Sequence, residues 1–156
     1  MQRTYFFSIF FLWSLLLCTQ VQAGPFGLGI ILGEPTGLSG NIMLDQRSSV
    51  DMALAYDLTG DQNLHMHADY LIRNPKSIAI ESLRLGWYGG LGAQFRTHED
   101  NGGNDDFRIG PRAVIGLNHE FTQAPIEVFT EFALIMHVIP ATDVDINFGI
   151  GGRFYF

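Results

Sequence analysis

The chain has a single cysteine, Cys18. It falls in a segment that reads as a removable leader, so the domain that follows holds no thiol and no disulfide framework. Positive charge is also scarce, with 9 Lys and Arg against 16 Asp and Glu. That balance disfavours nucleic acid as a partner. Beyond residue 23 no apolar run of about 20 residues occurs, which excludes a helical membrane span.

The amino terminus is where long hydrophobic character does occur. Arg3 gives a short positive start, residues 5–17 form an almost unbroken apolar run, and Val21-Gln22-Ala23 places small residues before Gly24. That run is too short to cross a bilayer as a helix. The three features together predict a cleaved secretory signal peptide over residues 1–23 and one domain over 24–156. A lipoprotein leader with lipidated Cys18 is the rival, and the bulky Leu17 before it argues against that. Cleavage removes Arg3 and no acid, so 8 basic residues then face 16 acidic ones, a net charge of −8.

What the domain does have is alternation. In residues 143–156, Val144, Ile146, Phe148, Ile150, Phe154 and Phe156 fall on one face. Asp145, Asn147, Gly149, Gly151, Arg153 and Tyr155 fall on the other. A strand sends successive side chains to opposite faces, so this is a strand with an apolar and a polar side. Eight such segments are expected, at 26–32, 38–44, 50–58, 64–72, 83–95, 107–119, 126–139 and 143–156, with turn-rich stretches between them. Residues 77–82 are ambiguous, either an extension of the fifth strand or a longer connection. Pro111 lacks an N–H and is expected to mark a bulge.

Charge placement says which face meets what. One consistent parity puts Arg84, Arg96, Arg108, Arg112 and Arg153 on the polar face, with Asp51, Asp57, Asp69, Glu127, Glu131 and Asp145. The glycines at 86, 90, 92, 110, 116, 149 and 151 share it. A soluble barrel of the lipocalin kind would turn the apolar face inward. Here that face is too large and too aromatic for one lumen to bury. The expected fold is therefore all-β, an eight-stranded antiparallel up-and-down transmembrane barrel with lipid outside and a polar lumen.

Several stretches also resemble a family. The opening GLGIILGEPTGLSG (27–40) is similar to the start of a bacterial family of small outer-membrane β-barrels of unknown function, OmpA/OmpX-like in architecture. The likeness continues through LHMHADY (64–70), GLG (90–92), residues 110–118, PIEVFTE (125–131) and the closing GGRFYF (151–156). Asn41, Gln94 and Pro111 depart from the pattern, the first two replacing an expected lysine and arginine. The resemblance implies an integral outer-membrane barrel and supplies no activity.

Candidate sites are few. The spacing Gly27-x-Gly29-x-x-x-Gly33 is not that of a phosphate-binding loop, and no helix follows it. His65-x-His67-x-Asp69 aligns two imidazoles and a carboxylate on one strand face, donors suited to zinc. The preferred reading makes them members of an interior network with no bound metal or other cofactor. That network comprises Asp51, His65, His67, Asp69, Arg84, Arg108, Arg112, Glu127, Glu131, Asp145 and Arg153. The acids Glu99, Asp100, Asp105 and Asp106 crowd loop 97–106, the candidate contact for an extracellular partner. They lack the spacing of a calcium loop. Serines are sparse, and none of Ser39, Ser48, Ser49, Ser77 and Ser82 adjoins a histidine, which disfavours acyl-transfer chemistry. Phe156 is expected to be the mark that outer-membrane assembly factors recognise.

The functional expectation is a monomeric, non-enzymatic barrel in the outer membrane, in contact with lipid and lipopolysaccharide. Its role would be structural or surface-interacting: envelope integrity, adhesion or host-factor contact. The alternatives are a narrow channel for small or hydrophobic solutes and an enzyme acting on lipid A or phospholipid.

Overall fold

In the computed structural model, residues 24–56, 64–81, 83–99, 105–139 and 142–156 are described. Residues 1–23, expected to be a leader, Asp57, Ser82 and the tip of the acidic loop lie outside them. Eight strands follow one another: β1 (Phe26–Gly33), β2 (Gly37–Met43), β3 (Ser48–Tyr56), β4 (Leu64–Ile80), β5 (Leu83–Glu99), β6 (Asp105–Glu120), β7 (Ile126–His137) and β8 (Asp143–Tyr155). Each pairs antiparallel with its neighbour, and β8 returns to β1 from Gly27↔Tyr155 to Gly33↔Gly149. This closure leaves no free edge around the ring, which removes the unpaired backbone groups an open sheet would expose.

Alternation is visible in the burial of every strand. Along β7, Glu127, Phe129, Glu131, Ala133, Ile135 and His137 are buried, while Val128, Phe132, Leu134 and Met136 are exposed. The exposed side is apolar around the barrel. Leu91 on β5 is 71% exposed, and Leu28, Ile72, Ile115, Phe132 and Ile146 stand out in the same way. The core is inside the ring and is of mixed character. Ile31, Ala53, Leu71, Tyr88, Val114, Phe129, Ala133 and Ile135 form its apolar cluster.

Residues 97–99 and 105–106, expected in the acidic loop, instead continue β5 and β6, which still pair at Thr97↔Phe107 and Glu99↔Asp105. Two further features depart from the expected layout. Strand β4 runs on to Ile80 and pairs with β5 through Ile78↔Leu85 and Ile80↔Leu83, after a register shift between Asn74 and Ile78. Residues 77–80 thus belong to the fourth strand. The shift places three residues of β4 opposite one of β5, and Lys76 in it has φ 53°. Strand β3 stops pairing at Ser48↔Ile72 and β6 at Gly86↔Asn118, so the end of this hairpin projects as a two-stranded ribbon. The ribbon lies at the same end of the barrel as the described chain ends, because β4 and β8 run in the same direction.

The second departure concerns Pro111. The ladder to β5 passes through Ala93↔Pro111 without a break. Toward β7 the register changes by one between Arg112↔Ile135 and the bridge Ile109↔Ile139, with the extra residue on the β7 side. The irregularity therefore sits where the proline has no N–H to donate, but its added residue is on the partner.

Turns at the end that holds Gly24 and Phe156 are short. In the β2–β3 turn the Asp45 carboxylate accepts from the Ser48 hydroxyl at 2.6 Å, the Arg47 N–H at 2.6 Å and the Ser48 N–H at 2.9 Å. These bonds, led by the Ser48 hydroxyl, hold the Asp45 carboxyl below the usual carboxylate range. Such an Asx turn lets two strands reverse without a longer loop.

Candidate functional site: the barrel interior

Inward positions on seven strands, β2 to β8, build a cross-linked interior. Arg112 from β6 reaches Asp69 on β4 in a short contact and Glu131 on β7 at 2.6 Å. Arg153 from β8 meets Asp51 on β3 at 2.6 Å and both its Nε and Nη2 donate to the Ser39 hydroxyl on β2, at 2.9 and 2.7 Å. Its guanidinium also lies 3.8 Å from the centre of the Phe129 ring. Arg73 from β4 makes a short contact with Glu127 on β7 and lies 3.4 Å from Glu120. Each guanidinium offers several donors in a rigid plane, so one side chain ties together groups on separate strands.

Neutral groups complete these contacts. Glu127 also accepts from Asn118 at 2.8 Å and from the Tyr155 hydroxyl at 2.6 Å. Asn41 donates to Asp51 at 2.9 Å and to the Ser49 hydroxyl at 3.3 Å. Asn147 donates to Gln94 at 3.2 Å. Near the far end, His137 and Asp145 are 2.8 Å apart. The hydroxyls of Ser39 and Ser49 are thus taken up by Arg153 and Asn41. Tyr88 donates to the Thr130 carbonyl at 2.9 Å. Its ring occupies the space where a side chain on Gly116 would project, with ring atoms 2.2 Å from that position.

The structure sorts the expected network unequally. Asp51, His65, His67, Asp69, Arg112, Glu127, Glu131 and Arg153 are all buried, and Asp145 is half-buried. Arg84 and Arg108 are not part of the buried set. Arg84 is exposed on the projecting ribbon, and Arg108 is at the rim, 3.9 Å from Asp143 with a side chain 41% exposed. Both keep the inward parity but sit beyond the stretch of strand that the lumen encloses. Arg96 is also near a rim, 3.6 Å from Glu34. Arg73 takes a place among the core cations that the list of expected members lacked. Its parity with Asp69 was the available signal, and Glu127 is the partner that parity alone did not supply.

His65 and His67 do share the inward face with Asp69, and their ring centres are 5.8 Å apart. They do not close on one point with Asp69. His67 Nε2 is 3.9 Å from Asp69 Oδ2, an oxygen that Arg112 also contacts. The donors that do converge come from different strands: one atom each of Asp51, His67 and Glu131 lie within 4.8 Å of one another.

No family model matches the chain, and no curated protein does. Among solved structures it is similar to the N-terminal β-barrel domain of Pseudomonas aeruginosa OprF, with a TM-score of 0.60 and 12% sequence identity. The match covers 86% of this chain and 100% of the other. At that identity the likeness establishes the eight-stranded barrel fold.

Proposed function

We propose that the protein is an integral outer-membrane barrel whose lumen is closed by its own side chains. Its role is structural or surface-interacting, in envelope integrity, adhesion or host-factor contact. The observation that carries this reading is the inside-out distribution of the ring. Large apolar side chains cover its outer face, and buried ion pairs occupy its interior. In water such an outer face would be an extended exposed apolar patch. In lipid it is the expected surface of a spanning barrel. Eight strands enclose a space that side chains fill, and Arg73, Arg112 and Arg153 cross it.

The partners of this reading are membrane lipid and lipopolysaccharide around the belt, and the assembly machinery at Phe156. An extracellular partner would meet loop 97–106, with the chain termini on the periplasmic side. The leader over residues 1–23 would direct export. Membrane fractionation of cells making the full chain tests the location, with recovery in a soluble fraction the outcome that overturns it. Planar-bilayer recordings test the closed lumen. No conductance steps are expected, and reproducible steps from pure protein would favour the narrow channel instead.

A further inference from the structure

The centre of the barrel carries more negative than positive charge. Among the described residues that are more than nine-tenths buried, the carboxylates are Asp51, Asp69, Glu127 and Glu131. The guanidiniums are Arg73, Arg112 and Arg153. One carboxylate is therefore in excess, and a second if Asp145 beside His137 is included, its side chain being 32% exposed. An uncompensated charge taken out of water is costly, so the interior calls for a further cation.

His67 marks where that cation belongs. It is 4% exposed, and neither ring nitrogen has a hydrogen-bond partner. As placed, an imidazolium there would have no acceptor within hydrogen-bond distance of either N–H, Asp69 Oδ2 being 3.9 Å from Nε2, so protonation of His67 answers the charge at the expense of its hydrogen bonds. A neutral imidazole with an open lone pair is instead a metal ligand. One of its nitrogens, one oxygen of Asp51 and one of Glu131 all lie within 4.8 Å of one another. Arg153 engages Asp51 through Oδ1, and Arg112 engages Glu131 through Oε1. Each carboxylate has a second oxygen with which to bind.

We propose that Asp51, His67 and Glu131 form a binding site for one divalent transition-metal ion, of the zinc class, at the core of the barrel. One imidazole and two carboxylates are donors that zinc accepts. Bonds of about 2.0–2.2 Å in a tetrahedral arrangement set donors about 3.3–3.6 Å apart, so closing the site takes side-chain movements of at most about 1 Å. Two ligands come from the paired strands β3 and β4 and the third from β7 across the ring, so the ion would tie the barrel across its lumen. His65 and Asp69, the nearer neighbours in sequence, are not in the set. The site depends on the barrel fold and not on the role proposed above.

The test is to refold the full chain from urea into detergent micelles, in metal-free buffer and with one equivalent of Zn2+ or Co2+. Elemental analysis after desalting is expected to find one Zn2+ per chain, and Co2+ to give visible ligand-field absorption. The metal is also expected to raise the urea midpoint of the intact protein, because an ion that binds the folded state stabilises it. His67→Gln and Glu131→Gln should lose the ion, while His65→Gln keeps it. A heat-shift gel on each variant separates lost binding from lost folding. Should the variants fail to fold, the intact protein still decides the matter through its metal content and midpoint. No retained metal together with an unmoved midpoint overturns the site, and assigns the charge balance to a proton or to water. Loss of the ion from His65→Gln with retention in His67→Gln overturns the ligand assignment.

Discussion

Arg112 holds two carboxylates on two other strands, Asp69 and Glu131, with 1% of its surface exposed. Replacing it by methionine would keep much of the volume and leave both acids without their cation. Removing one member of a buried pair costs about 3–5 kcal/mol. Arg112→Met is therefore expected to lower stability by about that amount, measured by urea unfolding in detergent or lipid vesicles. Arg73→Met should cost less, because Glu127 keeps Asn118, Tyr155 and, at 3.6 Å, Arg153. Equal losses for the two variants would contradict this account of the network. At this scale the alternation of polar and apolar residues made most inward side chains legible, from Asp51 to Arg153. It left out who meets whom. The partners in Arg73–Glu127 and Arg153–Ser39 are separated by 54 and 114 residues, and a pairing across a lumen has no local periodicity.

At the scale of the strand, the outer face is where an added charge would meet lipid if the barrel spans a bilayer. Leu91 lies near the middle of β5, and its side chain points away from the ring. Leu91→Arg is expected to cost about 2–4 kcal/mol in vesicle refolding experiments if the barrel spans the bilayer. A negligible effect would instead indicate that this face is in water. The end of β8 makes a second case. Phe154 and Phe156 stack with ring centres 6.4 Å apart on the outside, and the Phe156 N–H donates to the Phe26 carbonyl on β1 at 3.0 Å. Deleting Phe156 should lower the amount of assembled protein in the outer membrane, measured by fractionation, and unchanged levels would remove its role as an assembly mark. The β4–β5 ribbon was the element least legible in the sequence. Asn74-Pro75-Lys76 is turn-like, yet it lies at a register shift after which both strands resume pairing. Local turn chemistry can end a strand or only bend it, and the neighbouring strand decides which.

For the whole molecule, closure of the ring gives a direct expectation. A barrel whose first and last strands pair has no edge from which to unravel, and it holds its compact form in mild detergent until heated. The unheated protein is therefore expected to migrate differently from the boiled protein on a detergent gel. Identical migration would count against the closed ring of strands. Gly116 shows why closure needs particular residues. A side chain there would meet Tyr88 at 2.2 Å and the Thr130 carbonyl at 2.3 Å, so the interior has no room for one. The sequence by itself determined the eight strands, their alternation and the side of each that carries charge, because side-chain direction along a strand follows from a period of two. It also placed Gly116 and Arg112 on the inward side. Only the tertiary structure decided which inward residues are enclosed and which, like Arg84 and Arg108, lie at the ends. It alone brought Asp51, His67 and Glu131 within reach of one another. Strand stagger and ring closure set those distances, and both are properties of the assembled sheet rather than of any one strand.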